Sequence, residues 1–126
     1  MSKLRCPCGY TIADQADDIP YKARFVRDKD WSAYRLFSHD ISAFIKAISN
    51  GQREQWIQNY FFEGYPRDIS DAEVIHDIIS MFAAKYEQDI YQCEKCGRIA
   101  VQKRGTQIFQ FYKPENENVN DIFDVN

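Results

Sequence analysis

The four cysteines of the chain lie in two short turns, and their spacing constrains the fold more than any other feature. The first turn is Cys6-Pro7-Cys8-Gly9 and the second is Cys93-Glu94-Lys95-Cys96-Gly97. Two cysteines on one tight turn can both face one ion, and four thiolates suit the tetrahedral site that zinc takes. The spacing therefore predicts one structural Zn²⁺ held by Cys6, Cys8, Cys93 and Cys96.

The two turns resemble the zinc knuckles from which zinc ribbons are built. The second turn matches the Cys-x-x-Cys-Gly pattern of a knuckle at every defined position, whereas the first has one residue between its cysteines instead of two. The resemblance covers residues 4–12 and 90–112. It implies a small antiparallel sheet that carries the metal ligands, with the intervening residues as a large insertion.

Other uses of four cysteines have to be weighed against a zinc site. The start of the chain shows no apolar secretory segment, so we expect a cytoplasmic location, where structural disulfides are rare. A bridge within Cys6-Pro7-Cys8 would also be strained. A thioredoxin-like redox site would need the second motif to open a helix, but its flanks have strand character. Four thiolates can also hold iron or an iron–sulfur cluster, so zinc and iron both stay open.

Apolar periodicity between the two turns predicts a mixed fold. Residues 21–27 alternate apolar and basic side chains, which indicates a half-buried strand. Apolar residues at three- and four-residue spacing predict helices over 30–49, 52–62 and 70–88, the last of which opens with the capping box Ser70-Asp71-Ala72-Glu73. Residues 90–112 return to strand character, with a hairpin turn at 103–106.

The predicted fold class is α+β, with a small antiparallel sheet, a split four-cysteine zinc ribbon and about three inserted α-helices within 28–88. We expect residues 1–113 to form a single zinc-stabilised domain. Residues 114–126 are acidic and are expected to form a flexible tail. No run of about 18 apolar residues is present, so no membrane span is expected.

The sequence offers little for catalysis. The two histidines, His39 and His76, are each followed by aspartate, but adjacent residues of a helix point about 100° apart and do not form a ready dyad. No glycine-rich phosphate loop and no serine nucleophile elbow is present. A zinc ion with four thiolates also lacks an open position for water. We therefore expect a protein that is not an enzyme.

Charge points to two candidate surfaces. The net charge is −3, and the tail supplies four acids without a base, so the rest of the chain is almost neutral. A basic group around the second turn could contact nucleic-acid phosphates or could be a solvated hairpin: Lys95, Arg98, Lys103 and Arg104. The tail could bind a basic partner or could have no role; its candidate residues are Glu115, Glu117, Asp121, Phe123 and Asp124.

These features favour binding over catalysis. A compact acidic chain without an active site resembles, in a general way, the immunity proteins of bacterial polymorphic toxin systems. That resemblance implies a protein partner, for example a basic toxin domain that the chain neutralises. The alternative is a nucleic-acid-associated zinc-ribbon protein with an accessory or regulatory role.

Overall fold

A computed structural model of the chain describes residues 3–116 and 121–123. It confirms the α+β fold class, because helices and antiparallel sheets both occur. The chain divides into two compact units, one formed by Met1–Val26 with Glu87–Asn126 and the other by Arg27–Tyr86. We call them the cysteine unit and the helical unit. That the chain behaves as a single zinc-stabilised domain stays a prediction. No helix in the described ranges is long and apolar enough to cross a bilayer.

The described residues of the cysteine unit form two antiparallel sheets, where the sequence predicted one. Strands β1 (Lys3–Arg5) and β2 (Thr11–Ala13) form a two-stranded sheet around the first cysteine turn. A four-stranded sheet has the order β3-β4-β5-β6. Its strands are β3 (Lys22–Phe25), β4 (Gln88–Gln92), β5 (Ile99–Gln102) and β6 (Phe109–Tyr112).

The helical unit enters and leaves the four-stranded sheet at neighbouring positions. Strands β3 and β4 pair antiparallel, and Phe25 at the end of β3 lies opposite Gln88 at the start of β4. The chain thus leaves one strand, forms the whole of Arg27–Tyr86, and returns to the adjacent strand. Because the insertion begins and ends at paired residues, the 84 residues between Cys8 and Cys93 do not force the two cysteine turns apart.

The core of the cysteine unit includes two of the predicted metal ligands. Cys6 and Cys93 are at most 1% exposed and pack with buried Ile12, Tyr91 and Ala100. Each of the two cysteines directly follows a strand, Cys6 after β1 and Cys93 after β4. The sulfur atoms of Cys6 and Cys93 are therefore part of the hydrophobic core and do not lie on its surface.

The helical unit has a core of its own. A 3₁₀ turn at Asp28–Asp30 leads into a one-turn helix, and three longer helices follow. The helices are α1 (Trp31–Tyr34), α2 (Phe37–Ser49), α3 (Arg53–Tyr60) and α4 (Asp71–Tyr86). The buried side chains of this core form one cluster, made of Phe44, Ile57, Phe61, Val74 and Ile78.

The predicted helix over 30–49 is interrupted at Arg35 and Leu36. The backbone there makes three-residue hydrogen bonds, with the Leu36 N–H donating to the Ala33 carbonyl at 3.2 Å. The Ser38 hydroxyl also donates to the Arg35 carbonyl at 3.0 Å. Side-chain bonds of this kind offer the backbone an alternative to the helical ladder, and α2 begins anew at Phe37.

Candidate metal centre

The first cysteine turn is closed by its own backbone. The Cys6 N–H donates to the Tyr10 carbonyl, and the Gly9 N–H donates to the Cys6 carbonyl, both at 2.9 Å. Gly9 has φ +97°, which lies in the left-handed region that glycine adopts without a steric penalty. The single residue between Cys6 and Cys8 is therefore compatible with a tight turn.

The second turn has the same type of closure. The Gly97 N–H donates to the Cys93 carbonyl at 2.9 Å, and the Cys93 N–H donates to the Arg98 carbonyl at 2.8 Å. Gly97 has φ +80° and is buried. The side-chain amide of Gln92 donates to the Gly97 carbonyl at 3.3 Å and so ties the turn to β4. Strand β4 and the turn together aim two sulfur atoms toward the first turn.

The four sulfur atoms converge from the two distant turns. All four Sγ atoms lie within 4.8 Å of one another. Two pairs cross between the turns, with the Sγ atoms of Cys6 and Cys96 3.5 Å apart and those of Cys8 and Cys93 3.6 Å apart. A disulfide would bring the sulfurs to about 2.05 Å, whereas Zn–S bonds of about 2.3 Å in a tetrahedron separate them by about 3.8 Å. The donor set thus fits a tetrahedral metal ion.

The pKa values of the cysteine thiols are shifted in different directions. Burial raises the pKa of Cys6 to about 12 and also raises the pKa of Cys93. Burial opposes ionisation of Cys96 too, but hydrogen bonds from the Arg98 backbone N–H and from the other thiols outweigh it and lower its pKa to about 6. One thiol of the group therefore ionises easily. A divalent cation would supply the charge that lets the others lose their protons.

The basic residues expected around the second turn differ in exposure. Lys95 and Lys103 are exposed, whereas Arg98 and Arg104 are partly buried. Arg98 Nη1 donates to the Cys96 sulfur at 3.5 Å. A cation at this distance stabilises a thiolate, so Arg98 contacts the cysteine cluster. Contact of these four basic residues with phosphate stays a prediction.

The tail residues are only partly described. Glu117 and Asp124 lie outside the described residues. Glu115 and Asp121 are exposed, and Phe123 is partly buried. The Ile122 N–H donates to the side-chain carbonyl oxygen of Gln92 at 3.0 Å, so this short stretch of the tail returns to the strand that precedes Cys93.

A second group of possible metal ligands was not predicted from the sequence. Glu73, His76 and Asp77 have their ligand atoms within 4.8 Å of one another on α4. Glu73 lies three residues before His76 and four before Asp77, so it can reach both, which is the signal that could have identified the group. The structure also brings His76 Nδ1 to within 3.8 Å of Asp77 Oδ1, although adjacent helical residues were not expected to pair. His76 is 75% exposed, and groups of this kind are common on protein surfaces without an ion.

The comparisons with known proteins identify a family and no more. A family model described as a domain of unknown function (DUF8617) matches residues 2–116. No curated protein and no solved structure matches the chain. The family match includes both cysteine turns and the whole helical unit.

Proposed function

We propose that this chain, which belongs to the DUF8617 family of domains of unknown function, is a non-catalytic binding protein whose fold is held by one structural Zn²⁺. The observation that supports the metal is the convergence of four Sγ atoms to within 4.8 Å from two turns far apart in the sequence. Zinc is preferred to iron because it binds four thiolates in a closed structural site without redox chemistry. Four sulfur ligands leave no position for water, so the ion would act on the fold only.

Metal analysis tests this part of the proposal. Protein purified without added metal should contain about one zinc per chain and little iron by elemental analysis. Cys93→Ser and Cys96→Ser should each lose the metal and most of the stability of the cysteine unit, because site formation and folding are coupled. Iron in place of zinc, or metal retained by both variants, would contradict it.

Ala100→Ser is the matched control for the cysteine variants. Ala100 is fully buried in the same core as Cys93 but carries no sulfur. The control also adds a buried hydroxyl, so it should lower stability while the zinc content stays at about one per chain. Loss of metal from this variant would show that any core defect releases the ion.

The partner that we propose is a protein, in the manner of an immunity protein that covers a cognate toxin. Support comes from the helical unit, which leaves several large apolar side chains about half exposed. They are Trp31 (48%), Leu36 (46%), Ile45 (50%) and Met81 (47%). Trp31 and Leu36 border the same cavity, and exposed apolar side chains that lie together often mark a protein interface.

Co-expression tests the inhibitor proposal. Each gene next to the one that encodes this chain is expressed in a heterologous host, alone and together with the chain. A neighbour that arrests growth alone and is neutralised by co-expression, with the two products purifying as a complex, is the expected result. If no neighbouring product is toxic, or toxicity persists with the chain present, the inhibitor proposal is wrong.

A second candidate function is contact with nucleic acid. Up to residue 114 the cysteine unit carries nine Lys and Arg against six Asp and Glu, and Lys95 and Lys103 are exposed beside the second turn. A mobility-shift titration at two salt concentrations tests it, because phosphate contacts weaken steeply with salt. Salt-sensitive binding that Lys95→Ala and Lys103→Ala reduce would favour this candidate. Absence of binding would exclude it.

A further inference from the structure

We infer that the loop between α3 and α4, together with the acidic side chains around it, is the surface that docks the partner, and that the partner is a protein with a basic surface and a pocket for Phe62. This inference rests on the proposed protein-binding function. It adds the position of the interface and the chemistry of the partner. We call this surface the Phe62 surface and define it by Phe62, Glu63, Asp68, Glu73 and Asp77.

Charge is the first argument for a basic partner. Residues 54–77 contain six acidic side chains and one basic side chain, Arg67. Glu54, Glu63 and Asp68 are exposed and make no ion pair within the described part of the chain. Carboxylates that stabilise nothing within the fold are available to steer a positively charged partner. The same charges would repel nucleic acid.

Phe62 is the second argument. It is 71% exposed, the most exposed large apolar side chain in the described ranges. Its ring meets the Tyr65 ring edge-on, with the centroids 5.7 Å apart and the planes at 88°. The two rings help to line a cavity of 280 Å³, together with Gln58 and Arg67. An exposed aromatic ring beside a cavity is typical of the anchor residues that dominate binding energy at interfaces.

The loop is held in place although it has no regular structure. Arg53 donates to Asp71 Oδ1 at 2.7 Å, to the Arg67 carbonyl at 2.8 Å and to the Ile69 carbonyl at 2.5 Å. Phe61 and Tyr65 stack with centroids 3.9 Å apart and planes at 6°. A loop that is already ordered loses little conformational entropy on binding, so more of the contact energy appears as affinity.

The acidic side chains and Phe62 are connected through Tyr65. The Tyr65 hydroxyl donates to Asp77 Oδ2 at 2.5 Å. A carboxylate oxygen of Asp77 lies within 4.8 Å of one from Glu73. The apolar anchor is therefore continuous with the acidic side chains at the start of α4. An apolar centre with a charged rim is the usual anatomy of a protein interface.

Site-specific photocrosslinking in the native cells locates the interface. A photoreactive phenylalanine analogue replaces Phe62 in one variant and Ile108 in a second. Ile108 is the matched control, since it is 61% exposed but belongs to the cysteine unit. We expect a crosslinked protein at position 62, identified by mass spectrometry as basic, and none at position 108. Crosslinking at 108 alone would overturn the docking surface but leave the proposed function standing; no protein crosslinked at either position would count against both.

Affinity measurements with the purified crosslinked protein then test the two arguments separately. Phe62→Ala should weaken binding by about 30-fold or more, as expected for an anchor residue, whereas Ile108→Ala should leave it unchanged. Glu63→Lys should slow association and reduce its dependence on salt, whereas the same reversal at Asp17, an exposed residue of the cysteine unit, should not. If a variant of the Phe62 surface and its control in the cysteine unit change the affinity or the association rate equally, the inference is wrong. Each variant changes an exposed side chain, and an unchanged melting temperature confirms that it is folded.

Discussion

Asp14 is a partly buried carboxylate that holds two neighbours in the cysteine unit. Lys22 Nζ donates to Asp14 Oδ2 at 2.6 Å, and the Tyr91 hydroxyl donates to the same oxygen. Burial alone would raise the pKa of Asp14, but the two hydrogen bonds outweigh it and lower that pKa. Burial, and then the bond to Asp14, raise the pKa of Tyr91. The tyrosine therefore stays protonated in the folded protein at a pH at which an unfolded tyrosine ionises.

Tyr91→Phe tests this contact by its pH dependence. The variant should lower the free energy of unfolding by about 1–2 kcal/mol near neutral pH, because a buried hydrogen bond to a charged group is lost. A group with a raised folded pKa contributes its full stability below the unfolded pKa, here about 10, and loses that contribution as the pH rises further. The stability gap between the parent and the variant should thus narrow above about pH 10, measured by urea unfolding of the strands.

Tyr112→Phe is the control for this measurement. It removes the same hydroxyl from a residue of β6 that is 58% exposed, and stability should change little at any pH. A gap for Tyr91→Phe that is equal at neutral and alkaline pH would contradict the assignment.

The sequence identified the residues of the candidate metal centre better than it identified their neighbours. The four cysteines were found by spacing, because two tight turns can supply two ligands each. The role of Arg98 was not found, since spacing does not tell whether a side chain turns toward its own turn or toward solvent. Phe62 carried no signal either. It follows Phe61, and only the structure shows that Phe61 is 9% exposed and Phe62 71%.

Among the elements, α4 begins at a side-chain cap. The Glu73 N–H donates to the Ser70 hydroxyl at 3.2 Å, as the capping box predicts. Ser70→Ala should therefore cost about 1 kcal/mol of stability in the helical unit. Urea unfolding followed by tryptophan fluorescence measures it, because both tryptophans, Trp31 and Trp56, belong to this unit.

Ser80→Ala supplies the comparison for the cap. Ser80 is exposed within the same helix, where alanine is a better helix former than serine, so this variant should be neutral or slightly stabilising. If both variants lower stability equally, the Ser70 hydroxyl does not act as a cap.

Element boundaries followed the sequence where a local signal exists. The start of α4 carries the Ser70 cap, and the turns of the cysteine unit carry glycines with positive φ. The break before α2 was not predicted, because the helical spacing of apolar residues continues across Arg35 and Leu36. The hydrogen bond from the Ser38 hydroxyl to the Arg35 carbonyl, which competes with the helical hydrogen bonds, has no signature in the sequence. The end of α4 at Tyr86 depends on the pairing of Gln88 in β4, which is a tertiary contact.

At the scale of the whole molecule, the two cores do not share a residue in the described ranges. The core of the cysteine unit contains candidate metal ligands, whereas the described core of the helical unit consists of aliphatic and aromatic side chains. The separate cores favour independent stability over the single zinc-stabilised domain that the sequence predicted. Removal of the metal by a chelator should then unfold the strands and leave the helical unit folded, since structural zinc sites are coupled to the fold that surrounds them.

Two readouts distinguish the units in one sample. Tryptophan fluorescence reports the helical unit, and amide resonances of β4 and β5 report the cysteine unit. After chelation the amide resonances should collapse to the unfolded range while the tryptophan emission keeps its folded maximum. A parallel shift of the emission would show that both cores depend on the ion.

The sequence predicted the arrangement of the two cysteine turns and the helices between them, but not the order of the strands. The spacing of the cysteines predicted a metal site interrupted by helices, and the structure brings the two turns together around such an insertion. The order β3-β4-β5-β6 and the separate sheet of β1 and β2 depend on long-range strand pairing, which short-range periodicity does not encode.

The pairing of Phe25 with Gln88 has an evolutionary consequence. An insertion that begins and ends at adjacent positions of one hairpin can change in length or be exchanged for another module without shifting the strands that support the sulfurs. Related proteins could then bind different partners by changing the helical unit while they keep the same cysteine unit. A shortened chain in which a tight turn joins these strands would be the corresponding minimal metalloprotein.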